Sequence, residues 1–264
     1  MSINKIKYIA IISMVCDHLA SAFFAPDASI YIVLRLIGRI TAPSMCLALA
    51  EGFVHTSNRK KYISRLLAFA LIAQIPFSFF ESGTFTLPLG NVLFTFACSF
   101  ALMEVVENWK KIGALKGIIA VIVLLVLSMK TDWLIFGPLF TLSIYMNKEN
   151  KDCQAICYAA ISVLSFSLSA FMCVSHGLPW YGQVWQIGTL LVIPIIYAYN
   201  GERGSKALFN KWFFYIFYPA HLVVLGLIRW QRNLFLKHHQ PNLCRVVKVQ
   251  RFFRYFIAQY HLSY

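Results

Sequence analysis

Charge is scarce in this chain. Only 13% of its 264 residues are charged, whereas a soluble domain carries roughly a quarter. Acids are rarer still: ten Asp and Glu stand against 24 Lys and Arg, a net charge of +14. With 59% hydrophobic residues, this balance excludes an ordinary soluble globule and points to a polytopic membrane protein. No G-x-S-x-G, Walker A, H-E-x-x-H or G-x-G-x-x-G motif falls at a workable position, which removes support from hydrolase, ATPase and Rossmann readings. An RNP-like motif and a recognition helix are also missing. The positive charge is therefore read as topology signals and attraction to anionic lipid, and no nucleic-acid partner is expected. The seven cysteines (16, 46, 98, 153, 157, 173 and 244) are odd in number and lie mostly in apolar runs as small filler. Cys153 and Cys157 share a helix face but lack a second ligand pair, so no metal is expected. Linkers, repeats and low-complexity tracts are likewise absent.

Long apolar runs fill most of the chain. A membrane helix needs about 20 such residues, and the runs predict an all-α transmembrane bundle of about nine spans (eight to ten). Their approximate bounds are 6–25, 30–54, 62–80, 90–107, 113–130, 132–147, 155–175, 184–200 and 212–230. The basic start MSINKIK is like that of a signal peptide. The run behind it is too long for a cleaved segment and holds Asp17 and His18, so it reads as a retained span. Lys and Arg concentrate in 55–61, 108–111, 147–151 and 200–211, while 81–90 and 175–183 carry none. Nine spans from a cytoplasmic N-terminus put all four basic loops inside a multi-pass protein of the cell membrane. Residues 1–230 then form the membrane domain, and 231–264 a basic tail of unassigned role. The tail holds Arg232, Lys237, Arg245, Lys248, Arg251 and Arg254, and nine spans leave it outside. Phe252, Phe253, Phe256 and Ile257 form an amphipathic pattern there, suited to a membrane surface.

A few polar groups interrupt the runs: Asp17 and His18 in the first, Arg35, Arg39 and Glu51 in the second, His221 in the last. Ionisable groups at membrane depth are costly and mark functional sites by default. Counted at about 1.5 Å per residue from the nearer membrane face, His18 lies roughly 16 Å deep, Arg39 roughly 12 Å and His221 roughly 14 Å. Three helices thus converge on one depth. Plainer roles exist for each. Asp17 can neutralise Arg35 or Arg39, His18 can be an interior hydrogen-bonded histidine, Glu51 can snorkel, and Asp132 can be a helix-terminal charge. Adjacent helical residues point about 100° apart, so Asp17 need not orient His18.

Several stretches together resemble a known family. They are KYIAIISMVCDHL, LRLIGRITAPSMCLALAEGFVHTSNRKKYISRLLAFALIAQIPF, NVLFTF, PIIYAYNGERG and FFYIFYPAHL, in that order across most of residues 5–228. The set is similar to the TraX family, multi-span bacterial membrane proteins named for an acetyltransferase that modifies the pilin N-terminus. The matching polar positions are Asp17, His18, Gly38, Arg39, Pro43, Glu51, Gly52, His55, Asn91, Asp132 and His221. The spacing from Lys7 to His18 also resembles that of other transmembrane acyltransferases.

The resemblance implies an acyltransferase that takes acetyl from acetyl-CoA. Its phosphates would be received by Arg59, Lys60, Lys61 and Arg65, with Arg203 near them in chain topology. His18 is the expected general base, His221 an assistant, Arg39 a stabiliser of the carbonyl oxygen, and Asp17 the balance for Arg39 or a histidine. The acceptor implied is the amine of a small membrane protein, with a saccharide or cell-wall hydroxyl as the other option. The rival class is a proton- or ion-coupled transporter using the same polar groups as a relay.

Overall fold

The computed structural model describes residues 1–83, 85, 90–205 and 208–239. These residues form α1 (Ile3–Phe23), α2 (Ser29–Gly38), α3 (Thr41–His55), α4 (Arg59–Ser82), α5 (Val92–Glu107), α6 (Trp109–Ile112), α7 (Ala114–Ser128), α8 (Phe136–Met146) and α9 (Lys151–Ser175). A 3-10 helix (Trp180–Val192), α10 (Ile193–Ala198) and α11 (Leu208–His239) complete the bundle. No strand occurs among the described residues, only one parallel bridge from Gly90 to Thr131.

Six segments are long and apolar enough to cross a membrane: Ile3–Phe23, Ser29–His55, Arg59–Ser82, Lys151–Ser175, Trp180–Ala198 and Trp212–Arg232. The chain is a multi-pass membrane protein. The count of nine spans is not confirmed, because three of the expected spans are short helices. α5 has 16 residues, α7 has 15 and α8 has 11. At about 1.5 Å per residue, α8 covers only about 17 Å. Its expected span began at residue 132, but the chain there is a turn and the helix starts four residues later.

The second run crosses as one segment, Ser29–His55, with an irregular turn at Arg39 and Ile40 between α2 and α3. Pro43 sits in the first turn of α3, where its missing N–H is harmless, and its ring disfavours helical geometry at the carbonyl four residues back, that of Arg39. Arg39 therefore lies at the junction of α2 and α3. α3 is rich in Ala, Ser, Cys and Gly, which allow close helix approach, and nine of its 15 residues are buried. Around it runs a ring of α1, α11, α4, α5, α8, α9, the 3-10 helix and α2, each touching the next; α7 packs outside against α5.

Side-chain caps set several helix starts. Asn58, Asn91 and Asn150 each accept a backbone N–H of the first turn of α4, α5 and α9. α4 ends at Gly83, whose φ of 70° is left-handed and suits glycine.

The basic loops gather at one end of the bundle. Ile3 N–H donates to Glu202 O at 2.9 Å, Lys151 Nζ to Tyr199 O at 2.6 Å, and the Met1 amine to Ala198 O. Arg59 bridges Glu104 and Glu107, and Tyr145 joins Glu107. The other end holds Lys130 and the Gly90–Thr131 bridge, with Arg232 donating to the Ala22 and Phe23 carbonyls at the end of α1. α11 runs past residue 230, so the boundary drawn there falls inside a helix. The amphipathic pattern at Phe252, Phe253, Phe256 and Ile257 lies outside the described residues.

Candidate functional site

Asp17 and His18 face two different neighbours. Asp17 turns to α2, where Arg35 Nη1 donates to its Oδ2 at 2.8 Å and Arg39 Nη2 lies 3.0 Å from Oδ1 and 3.1 Å from Oδ2. The approach of α1 to α2 depends on Gly38, because a Cβ there would stand 2.3 Å from Asp17 Oδ1 and 2.4 Å from Asp17 Cβ. The guanidiniums lie on aromatic faces. Arg35 is 4.1 Å and Arg39 4.8 Å from the Trp185 ring centre, and Arg39 is also 5.0 Å from Trp133. Cation–π attraction thus supports two charges that share one carboxylate. Nε of both arginines is buried without a hydrogen-bond partner among the described residues.

His18 turns the other way, to α11 and α4. Its Nδ1 is 2.7 Å from Nε2 of His221, and its ring lies 5.1 Å from that of Phe80. The two imidazole planes differ by 13° with centroids 4.9 Å apart, so the rings meet edge to edge through that bond. The tautomers follow. Nδ1 of His221 lies 2.9 Å from the Phe217 carbonyl, which can only accept, so this nitrogen carries the proton. In a neutral His221, Nε2 is then an acceptor, and His18 must donate from Nδ1. The lone pair of His18 is left on Nε2, which has no hydrogen-bond partner among the described residues.

Asp17, His18, Arg35, Arg39 and His221 therefore form one polar cluster with two arms, joined by consecutive residues of α1. It is not sealed: Asp17, Arg35 and Arg39 keep 15%, 16% and 12% of their side-chain surface open. Asp132 and Glu81 lie within electrostatic reach of Arg35. Asp132 is exposed and sits in the turn before α8.

Other sequence candidates lie elsewhere. Glu51 pairs with His55 at 3.4 Å, at the basic end of the bundle. Gly52 beside it leaves room for the Tyr62 hydroxyl, which a Cβ would meet at 2.8 Å. Asn91 is a structural staple: its Nδ2 donates to Ala70 O at 2.7 Å and Gln74 Oε1 at 2.8 Å, and its Oδ1 caps Leu93 N–H. Arg59 is engaged by Glu104 at 3.0 Å and Glu107 at 2.8 Å and lies over Phe53. Lys60 and Lys61 are exposed on the first turn of α4, and Arg65 lies one turn further in. Sequence reasoning missed Trp185, Trp133 and Phe80, since an aromatic residue inside an apolar run carries no signal separating it from core filler, and Glu81, an acid at the edge of a loop.

A family described as TraX protein matches residues 2–229. The probable fimbrial assembly protein FimC, serogroup H1, of Dichelobacter nodosus is 33% identical over 231 residues, which cover 84% of this chain and 93% of that protein. No solved structure matches the chain.

Proposed function

The chain belongs to the TraX family, and from that premise we propose that it is a cell-membrane acetyltransferase with its N-terminus and basic loops in the cytoplasm. It transfers acetyl from acetyl-CoA to an amine of an envelope protein, and the relative's link to fimbrial assembly makes a fimbrial or pilin subunit the first acceptor to test. The observation that carries this reading is the His18–His221 bond, which leaves His18 Nε2 as a positioned acceptor inside a membrane bundle.

In this mechanism His18 Nε2 removes a proton from the acceptor amine as its nitrogen bonds to the thioester carbonyl carbon. The carbon–sulfur bond then breaks, and the proton held by His18 passes to the departing thiolate. His221 accepts from His18 Nδ1 throughout and keeps Nε2 aimed, as a positioning residue. Arg39 has an unpartnered N–H beside the cluster and stabilises negative charge on the carbonyl oxygen. Asp17 holds Arg39 in place rather than touching His18. The residues fit an anionic thioester donor: the cluster carries two guanidiniums on one directly bonded carboxylate, and the nearest basic loops lie at one end of the bundle.

The test is transfer of label from [acetyl-¹⁴C]CoA to a peptide with a free N-terminal amine, by the full chain in detergent. His18→Ala is expected to insert and purify like the wild type and to transfer nothing. Normal turnover in that variant would overturn the base assignment, while ion flux into proteoliposomes without any acetyl transfer would overturn the enzyme reading.

A further inference from the structure

At the basic end three cations lie within electrostatic reach of one another, with no acid paired to them among the described residues. Lys7 of α1 lies over the Phe214 ring at 5.2 Å and within electrostatic reach of both Arg65 and Arg203. Arg65 of α4 lies over the rings of Tyr62 and Tyr215, 5.3 and 5.5 Å from their centres, with Nε 3.4 Å from the Tyr215 hydroxyl. Arg203 is held by its backbone: its carbonyl accepts Asn4 N–H at 3.3 Å, next to the bond from Ile3 N–H to Glu202 O. Tyr62 also lies within electrostatic reach of Arg65 and Arg203. Among the described residues none of the three forms an ion pair. The nearest carboxylate in sequence, that of Glu202, accepts instead from Asn200 Nδ2 at 2.8 Å. Arg59, a few residues away on α4, is by contrast doubly neutralised.

Like charges repel, and three held together by separate elements with no countercharge form a place for an anion of more than one charge. We propose that Lys7, Arg65 and Arg203 form a subsite for the phosphate groups of a polyphosphate ligand, resting on the donor reading above for its identity as the nucleotide end of CoA. The position suits such a donor. Lys7 is eleven residues before His18 on the same helix, about 16 Å along the axis, with α11 running beside it from Phe214 to His221. A ligand anchored by phosphates at Lys7 and carrying its thioester on a flexible arm would reach Nε2 of His18 between α1 and α11. The subsite thus selects donors with a charged end, and small thioesters without phosphates are poor substrates.

The experiment is calorimetric titration of the full chain, in nanodiscs of phosphatidylcholine, with CoA and with pantetheine, which lacks the phosphates. CoA is expected to bind and pantetheine to bind far more weakly. Arg65→Gln/Arg203→Gln is expected to weaken CoA binding by at least about tenfold, the loss of one or two charge-assisted contacts, while Lys110→Gln/Lys111→Gln binds as the wild type does. Arg203→Gln alone, in an exposed loop, gives the same direction if the double variant fails to fold. CoA affinity unchanged in these variants overturns the subsite and leaves the acetyltransferase reading standing. If the wild type binds no CoA, nanodiscs containing phosphatidylglycerol separate the remaining cases. Loss of co-purifying phosphatidylglycerol from the double variant supports a phosphate subsite filled by lipid and removes the donor reading; equal retention overturns the subsite.

Discussion

Replacing Asp17 with asparagine keeps the shape of the side chain and one acceptor oxygen but removes its charge. Two guanidiniums bonded at 2.8 and 3.0 Å then lose their shared counterion. At a charge separation of about 4 Å and an effective dielectric of about 20, each attraction is worth about 4 kcal/mol before desolvation. Breaking a buried pair by removing one partner costs about 3–5 kcal/mol in practice. The stacking of both arginines on Trp185 offsets part of this, at about 0.5–2 kcal/mol. A net loss near 3 kcal/mol lowers Tm by about 10 °C in a protein of this size. Melting of purified Asp17→Asn, followed by tryptophan fluorescence, measures it, and Trp185 and Trp133 report from beside the charges. The second variant, Asp17→Asn/Arg35→Gln, restores the wild-type net charge and is expected to recover at least half of the loss. A Tm for Asp17→Asn within about 2 °C of wild type, or a double variant melting below the single one, refutes the charge-sharing account.

Two further outcomes follow from the same geometry. His221→Ala is expected to lower kcat for acetyl transfer about a hundredfold while leaving KM for the donor in place, because it frees the His18 ring to turn without removing the base. His221→Gln, whose carbonyl oxygen can accept the His18 Nδ1 proton, recovers most of that loss; equal rates for the Ala and Gln variants would exclude the positioning role. Gly38→Ala puts a methyl 2.4 Å from Asp17 Cβ, an atom tied to the α1 backbone, so the helices must part. The expected cost is about 1–3 kcal/mol, read as a lower Tm, and a variant as stable as wild type would show that α1 and α2 are not in that contact.

Composition and run length are enough to specify a helical membrane protein, because lipid leaves backbone polar groups no partner outside a helix. The distribution of Lys and Arg likewise anticipates which loops gather at one end, since those residues cannot enter the apolar layer at random. Depth counting along single helices anticipates that His18 and His221 lie level and that Asp17 is near Arg39, because axial rise is a local property. Rotation about each helix axis and the choice of neighbours are set by packing of all the helices at once. Only the assembled bundle therefore turns Asp17 to Arg35 and Arg39 and His18 to His221, and so chooses the tautomer that leaves Nε2 open. Packing also occupies Arg59 with Glu104 and Glu107, which lie more than forty residues away along the chain. Residue identities decide which charges the bilayer must hide; the crossing of α1, α2, α4 and α11 decides what each charge finds there.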